Sequence, residues 1–158
     1  GVIIPTRRAV GLTGTVEKAS AGTLSQMPVA RAGNLNALLK QLKKEGFWIM
    51  AAAGKGEKSP YEIDLTGPLA LVIGGEGEGV SRLVLENSDW VVRLPMVGQV
   101  ESLNASVAGG ILMYEVLRQR LQQDPEMLSR AAEEAEVSLE FEEEIEGFEE
   151  LDGSFEEE

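Results

Sequence analysis

The chain has no cysteine and no histidine. Without cysteine there is neither a disulfide framework nor a thiolate metal site. Without histidine, a zinc ion would have to rely on carboxylates alone, so no metal is expected. The Ser–His and Cys–His pairs of most nucleophilic enzymes are excluded as well. No apolar run approaches the eighteen residues of a membrane helix, and no signal peptide is visible, so the expectation is a cytoplasmic protein with no membrane partner. Lys and Arg are missing from residues 133–158, which hold 14 of the 27 acidic residues. The net charge of −13 therefore belongs to the tail: 13 acids against 14 bases leave residues 1–132 at +1. A nearly neutral body is not barred from RNA, but phosphate contacts would need local clusters or another domain.

What is present centres on Leu69-Ala-Leu-Val-Ile-Gly-Gly-Glu-Gly-Glu-Gly79. Five apolar residues followed at once by glycines predict a buried strand running into a loop. Four glycines in the six residues from Gly74 to Gly79 imply a sharp turn or a close approach to the backbone. The loop is not a P-loop, because no Gly-Lys-Ser/Thr ends it, and the third glycine of the dinucleotide fingerprint is replaced by Arg82. Glu76 and Glu78 would also repel a phosphate. An acidic loop better suits a ligand with positive charge, or one offering hydroxyl and amine donors. S-adenosylmethionine, with its sulfonium, amino group and ribose hydroxyls, meets that description. A glycine-rich turn with no ligand is the alternative.

The remaining pattern alternates strands and helices. Gly1–Pro5, Met27–Arg31, Phe47–Ala53, Leu69–Ile73 and Trp90–Leu94 read as strands. Between them lie a short helix at Thr15–Ala21, a clear amphipathic one after Asn34 with Leu35, Leu38, Leu39 and Leu42 on one face, and another at Val80–Asn87. Arg7 and Arg8 fall in a loop, as does the polar segment Lys55–Tyr61. Such alternation predicts an α/β fold with a mostly parallel sheet and helices on both faces. The longest helix is expected from Ser102 to about Leu121, with apolar residues at steps of three or four. Two adjacent glycines inside it, Gly109 and Gly110, cost about 1 kcal/mol each relative to Ala. They predict a compensating close contact with a ligand, a partner helix or the sheet. Pro125 breaks the pattern, and Glu126–Glu136 is a further candidate helix. The domain is expected to span residues 1–123. Residues 124–158 form an acidic tail expected to be disordered, because blocks of like charge repel.

Three segments carry a resemblance. Ile73-Gly-Gly-Glu-Gly-Glu-Gly79 resembles the second motif of the SpoU family of RNA ribose 2′-O-methyltransferases, in the SPOUT superfamily. Arg93-Leu-Pro-Met96 with Val100-Glu-Ser-Leu-Asn-Ala-Ser-Val-Ala108 resembles the third, at the family's spacing, and Gly11–Gly22 resembles the segment leading into the middle of the domain. The likeness runs from Gly1 to about Arg120. Within the family it is to the branch that methylates a guanosine of 23S ribosomal RNA. The family's first motif, with an asparagine and an arginine, lies before the segment that matches Gly1, so the chain is expected to be the later part of a longer protein.

The resemblance implies a C-terminal trefoil knot between about Leu69 and Leu121, a homodimer, S-adenosylmethionine as methyl donor and ribosomal RNA as substrate. It assigns Gly74, Leu94, Met96 and Leu103 to the donor, and Glu76, Ser102 and Asn104 to the polar groups near the reacting atoms. The alternative is a non-catalytic RNA- or protein-binding module that kept the fold without the first motif.

Overall fold

Each of the five apolar runs becomes a strand, and every pairing between them is parallel: β1 (Val2–Pro5), β2 (Val29–Ala32), β3 (Trp48–Ala52), β4 (Leu69–Ile73) and β5 (Trp90–Val92). The computed structural model describes residues 1–6, 11–75, 77–98 and 103–133. Among the described residues, α1 (Gly14–Ala19), α2 (Leu35–Lys44) and α3 (Arg82–Asn87) lie between strands, and α4 (Ala105–Gln123) follows β5. A single 3-10 turn among the described residues covers Pro60–Glu62. The chain divides into two compact units, Gly1–Leu112 and Met113–Glu158.

The strands sort into two sheets where the alternation predicted one. β1 pairs with β2, while β3 lies between β4 and β5 in the order β4-β3-β5. The β1–β2 ladder is only four residues long, with Val2, Ile3, Ala30 and Arg31 exposed. It carries little of the core. The three-stranded sheet carries most of it. Ile49, Met50 and Ala51 of β3 are fully buried, as expected of a strand hydrogen-bonded on both edges and covered on both faces.

Side chains alternate across a strand, so register assigns the faces. Ile49 pairs with Ala70, and Ala51 with Val72. This face packs under α2 and α3: Leu39, Ile49 and Val84 form a buried cluster joined by Leu35, Leu42, Phe47, Ala70, Val72 and Val80. The leucine stripe of α2 is thus the core face that its spacing predicts, with Asn34 accepting a hydrogen bond from the Ala37 amide (3.1 Å) as N-cap. Gly46, at φ +86°, follows the C-cap in the left-handed conformation that ends many helices. The opposite face carries Met50 and Ile73. There Gly109 of α4 stands within about van der Waals distance of Ile73, a Cβ at that position lying 3.7 Å from its side chain. The close contact expected of the helix glycines is therefore made with the sheet at Gly109. Nothing lies within 4 Å of a Cβ at Gly110. On the same face as Met50, Trp48 and Trp90 stack, their centroids 5.0 Å apart.

α4 starts at Ala105, three residues later than its apolar pattern suggests, because Asn104 takes the capping position: its Oδ1 accepts from the Ser106 amide (2.9 Å) and hydroxyl (2.5 Å). In the second unit, Glu115 is buried and held below its ordinary value of 4.5, first by the hydrogen bond from Arg118 and further by Gln119. Residues 127–133 are helical, within the span expected after Pro125. The acidic tail beyond them lies outside the described residues. No helix among the described residues is long and apolar enough to cross a membrane.

Asp89 fastens the first unit together. The Ile49 amide donates to its Oδ2 (2.8 Å), its own amide donates to the Ile49 carbonyl (2.8 Å), and Lys43 at the end of α2 reaches its Oδ1 (2.8 Å). One carboxylate thereby ties α2, β3 and the start of β5. Replacing Asp89 by Ala leaves a buried strand amide without an acceptor, so Asp89→Ala should cost about 1–3 kcal/mol in urea unfolding. Asp89→Asn keeps an acceptor and should lose less. An Ala variant as stable as wild type would remove Asp89 from this role.

Candidate functional site

The three core strands end in register. Ala52 pairs with Ile73 on one side and Val92 on the other, so the chain leaves the sheet at three adjacent points: Ala53, Gly74 and Arg93-Leu94. The Ala53 amide donates to the Val92 carbonyl (2.9 Å) and continues the ladder by one step. Gly74 and Arg93 therefore flank Ala53 about two strand spacings, roughly 10 Å, apart, with Leu94 one residue beyond Arg93. Ala53, Gly74 and Leu94 are half-buried, and Arg93 is exposed. The row of three exits at the carboxyl ends of parallel strands, termed the notch below, has the small side chain of Ala53 at its middle and is the position where α/β proteins bind ligands.

The glycine loop is shaped first of all by its own closure. A Cβ on Gly74 would lie 2.3 Å from the carbonyl carbon of Gly79 and 2.6 Å from the Val80 nitrogen. The close backbone approach that the glycines imply is made at Gly74 by the returning arm of the loop. The Gly79 amide donates to the Gly75 carbonyl (3.1 Å), and Gly77 (φ +93°) and Gly79 (φ +66°) adopt backbone angles that side chains resist. Closure delivers Val80 to the core under α2 and leads into α3. Ser81 stands at the N-cap of α3 without a side-chain capping bond.

The residues singled out from the sequence are placed as follows. Gly74 stands beside Ala53 at the end of β4, and Leu94 follows Arg93 just beyond the end of β5. Met96 and Leu103 follow β5 and precede α4, with 37% and 36% of their surfaces exposed. Asn104 caps α4. Glu76 and Ser102 lie outside the described residues, as do Arg7 and Arg8.

Three neighbours of the notch are not marked by any sequence motif. Ala53 forms its middle. Gly56 is buried, and a Cβ there would fall 2.4 Å from the Val92 carbonyl carbon and 2.7 Å from the Arg93 nitrogen. Lys58 accepts the Arg93 amide hydrogen bond at its carbonyl (3.0 Å). The segment with the pattern of a polar loop is thus bound by its backbone to the end of β5. Its signal is present in the small residues Ala51-Ala52-Ala53-Gly54 at a strand end, but small residues alone do not say what approaches them.

Parallel strands that end together, with a closed glycine turn beside them, define the class as an α/β domain with a parallel core sheet. The chain belongs to the SpoU rRNA Methylase family, whose model matches residues 1–114. It is 52% identical over 120 residues to YacO of Bacillus subtilis (strain 168), a protein placed in the TrmH family of tRNA/rRNA methyltransferases, with 76% of this chain and 48% of that one covered. It is 45% identical over 120 residues to the 23S rRNA (guanosine-2′-O-)-methyltransferase RlmB of Xanthomonas campestris pv. campestris, with the same coverage. Among solved structures it resembles the SpoU methyltransferase AviRb from Streptomyces viridochromogenes in complex with the cofactor AdoMet. The TM-score is 0.70 at 26% identity, over 76% of this chain and 49% of that one. The chain spans about half the length of the curated relatives it matches.

The Gly74 contact makes a sharp prediction. Gly74→Ala drives a methyl group into backbone that cannot rotate away and should lower stability by about 1–3 kcal/mol, the usual range for overpacking. Gly75→Ala, with nothing within 4 Å of the new Cβ, should be tolerated. Thermal unfolding of the two variants tests this, and equal melting points would contradict the closure described.

Proposed function

We propose that this chain is the donor-binding part of an S-adenosylmethionine-dependent enzyme that methylates a ribose 2′-hydroxyl of ribosomal RNA, with a guanosine of 23S RNA as the target. The observation that carries this reading is the row of three parallel strand ends, with Gly74 on one side of Ala53 and Arg93, followed by Leu94, on the other. Its donor set suits a flat, largely uncharged adenosine. Chain exits offer backbone groups, Ala53 leaves room, and Leu94 supplies an apolar wall. The relatives support the same ligand and reaction, through the cofactor named with AviRb and the ribose chemistry named for RlmB.

In this reading Gly74, Leu94 and Leu103 hold the adenosine through backbone groups, with Met96 beside them. Bound S-adenosylmethionine supplies an electrophilic methyl group. The protein's part is alignment, because an in-line transfer gains most from fixing acceptor and donor. Glu76 positions the ribose, and Ser102 and Asn104 orient the RNA phosphate and the donor. The capping bonds of Asn104 fit this role, since they hold its side chain at a defined place at the entrance to α4. The trefoil knot and the homodimer belong to the same proposal. Val107 and Ile111 are exposed along one face of α4, with Gly110 open between them, a surface suited to a partner helix.

Calorimetric titration of the chain with S-adenosylmethionine, paired with sedimentation, should return one donor per chain and two chains per particle. A folded chain that takes no donor would overturn the pocket. A monomer that binds donor would overturn only the dimer. Asn104 can be tested separately, because Asp also caps helices well but lacks the amide donor. In the full-length protein Asn104→Asp should lower methyl transfer at least tenfold, about 1.4 kcal/mol of barrier, with the melting point nearly unchanged. Unchanged turnover would reduce Asn104 to its capping role.

A further inference from the structure

We propose that Lys55, Lys58 and Arg93, with the exposed ring of Tyr61, form a docking surface for the RNA backbone at the Leu94 side of the notch. This rests on the methyltransferase reading above and adds to it the residues that seat the substrate.

The loop that carries these groups is built to stay in place. Its backbone is bound at four points: the Ala53 amide to Val92 (2.9 Å), the Gly56 amide to Ala53 (2.9 Å), the Arg93 amide to Lys58 (3.0 Å), and the packing of Gly56 on Val92–Arg93. Pro60 is buried, as are Ile63 and Leu65 at 7% and 1% exposure. Ser59 and Glu62 cap the 3-10 turn reciprocally, the Ser59 amide donating to the Glu62 carboxylate (2.8 Å). What this scaffold leaves outside is basic and aromatic. Lys55, Lys58 and Arg93 are exposed, and no ion pair among the described residues engages them. Tyr61 keeps 56% of its surface exposed.

One backbone bond joins Arg93 to Lys58, which bridges Val92, and Lys55 is next to Gly56, which abuts Arg93, so the three cations come from neighbouring stretches of backbone. Like charges on neighbouring stretches repel and do nothing for folding, whereas a phosphate would offset them. The carboxylates of this segment are Glu57, which is exposed, Glu62, which accepts the Ser59 amide, and Asp64, which accepts from the Thr66 amide and hydroxyl. Glu62 and Asp64 are each held on their own stretch of chain, which leaves Glu57 as the acid between Lys55 and Lys58. A phosphate alone would need no aromatic group. Tyr61 adds a face for a base, and cations interleaved with an aromatic side chain suit single-stranded nucleic acid. Arg93 directly precedes Leu94, so backbone seated here brings a ribose to the edge of the notch.

The test is anisotropy of a labelled single-stranded RNA on the full chain across a salt series, with calorimetry of S-adenosylmethionine alongside. Lys55→Gln/Lys58→Gln should weaken RNA binding about tenfold or more. It should also flatten the dependence of log affinity on log salt by about 0.7 for each phosphate left without its cation, the single-strand value. Donor affinity should not move. Lys55→Arg/Lys58→Arg should bind like wild type, Arg93→Gln should act in the same direction as the double Gln variant, and Tyr61→Leu should weaken binding without changing the salt slope. An unaltered salt slope in the double Gln variant would overturn the proposal, as would an Arg variant as weak as the Gln one. If donor binds while RNA affinity ignores the lysines, this surface fails and the donor pocket stands. If RNA binding depends on the lysines while no donor binds, the surface stands and the donor reading fails.

Discussion

Parallel pairing of β3 on both edges is the constraint from which the rest follows. A strand with partners on two sides and helices on two faces must be apolar throughout, which accounts for Ile49, Met50 and Ala51 at full burial. Parallel strands cannot be joined by tight hairpins, so the chain must cross the sheet between them. The crossing from β4 to β5 passes over β3 and carries the glycine loop and α3. Register then sets the functional geometry. Because Ala52 faces both Ile73 and Val92, three chain exits fall in one row. A shift of one residue in either pairing would separate them and turn the strands' buried side chains to the wrong faces.

Asp89 shows how that register is held by a polar group as well as by packing. Its carboxylate satisfies the Ile49 amide at the start of the ladder and anchors Lys43 of α2. Helix, central strand and edge strand therefore share one fixed point. The glycine loop adds a second, since Gly74 meets Gly79–Val80 only if the turn closes fully. Closure both places Val80 in the core and defines one wall of the notch. Stability and site geometry are coupled through the same few atoms.

A site made of chain exits has a consequence for how it is recognised. Backbone groups contribute binding without demanding particular side chains, so such a pocket is hard to see as a constellation of charged residues. In the proposed reading the side-chain chemistry comes from Asn104 at the entrance to α4 and from the Lys55–Tyr61 loop, whose backbone is bound to the end of β5. Membership of the SpoU rRNA Methylase family gives this arrangement its chemical context. The backbone bond from Arg93 to Lys58 joins two segments distant in sequence.

The order of strands and helices, the leucine face of α2 and the strand-to-glycine turn at Ile73–Gly79 were all legible from local pattern. Apolar periodicity and glycine are read within a few residues of themselves. The family resemblance was legible for the same reason, as three short motifs at set spacing. Several features were decided only in three dimensions. The five strands form two sheets because strand order depends on which edges meet. Gly74 is needed for the loop's own closure, since it is met by residues five and six positions on. Gly109 faces Ile73 across the sheet, while its neighbour Gly110 faces open space. Ala53, Gly56 and Lys58 came to the notch through backbone contacts with β5, which leave no mark on residue type. Local sequence chooses the elements, and long-range pairing chooses which of their ends meet.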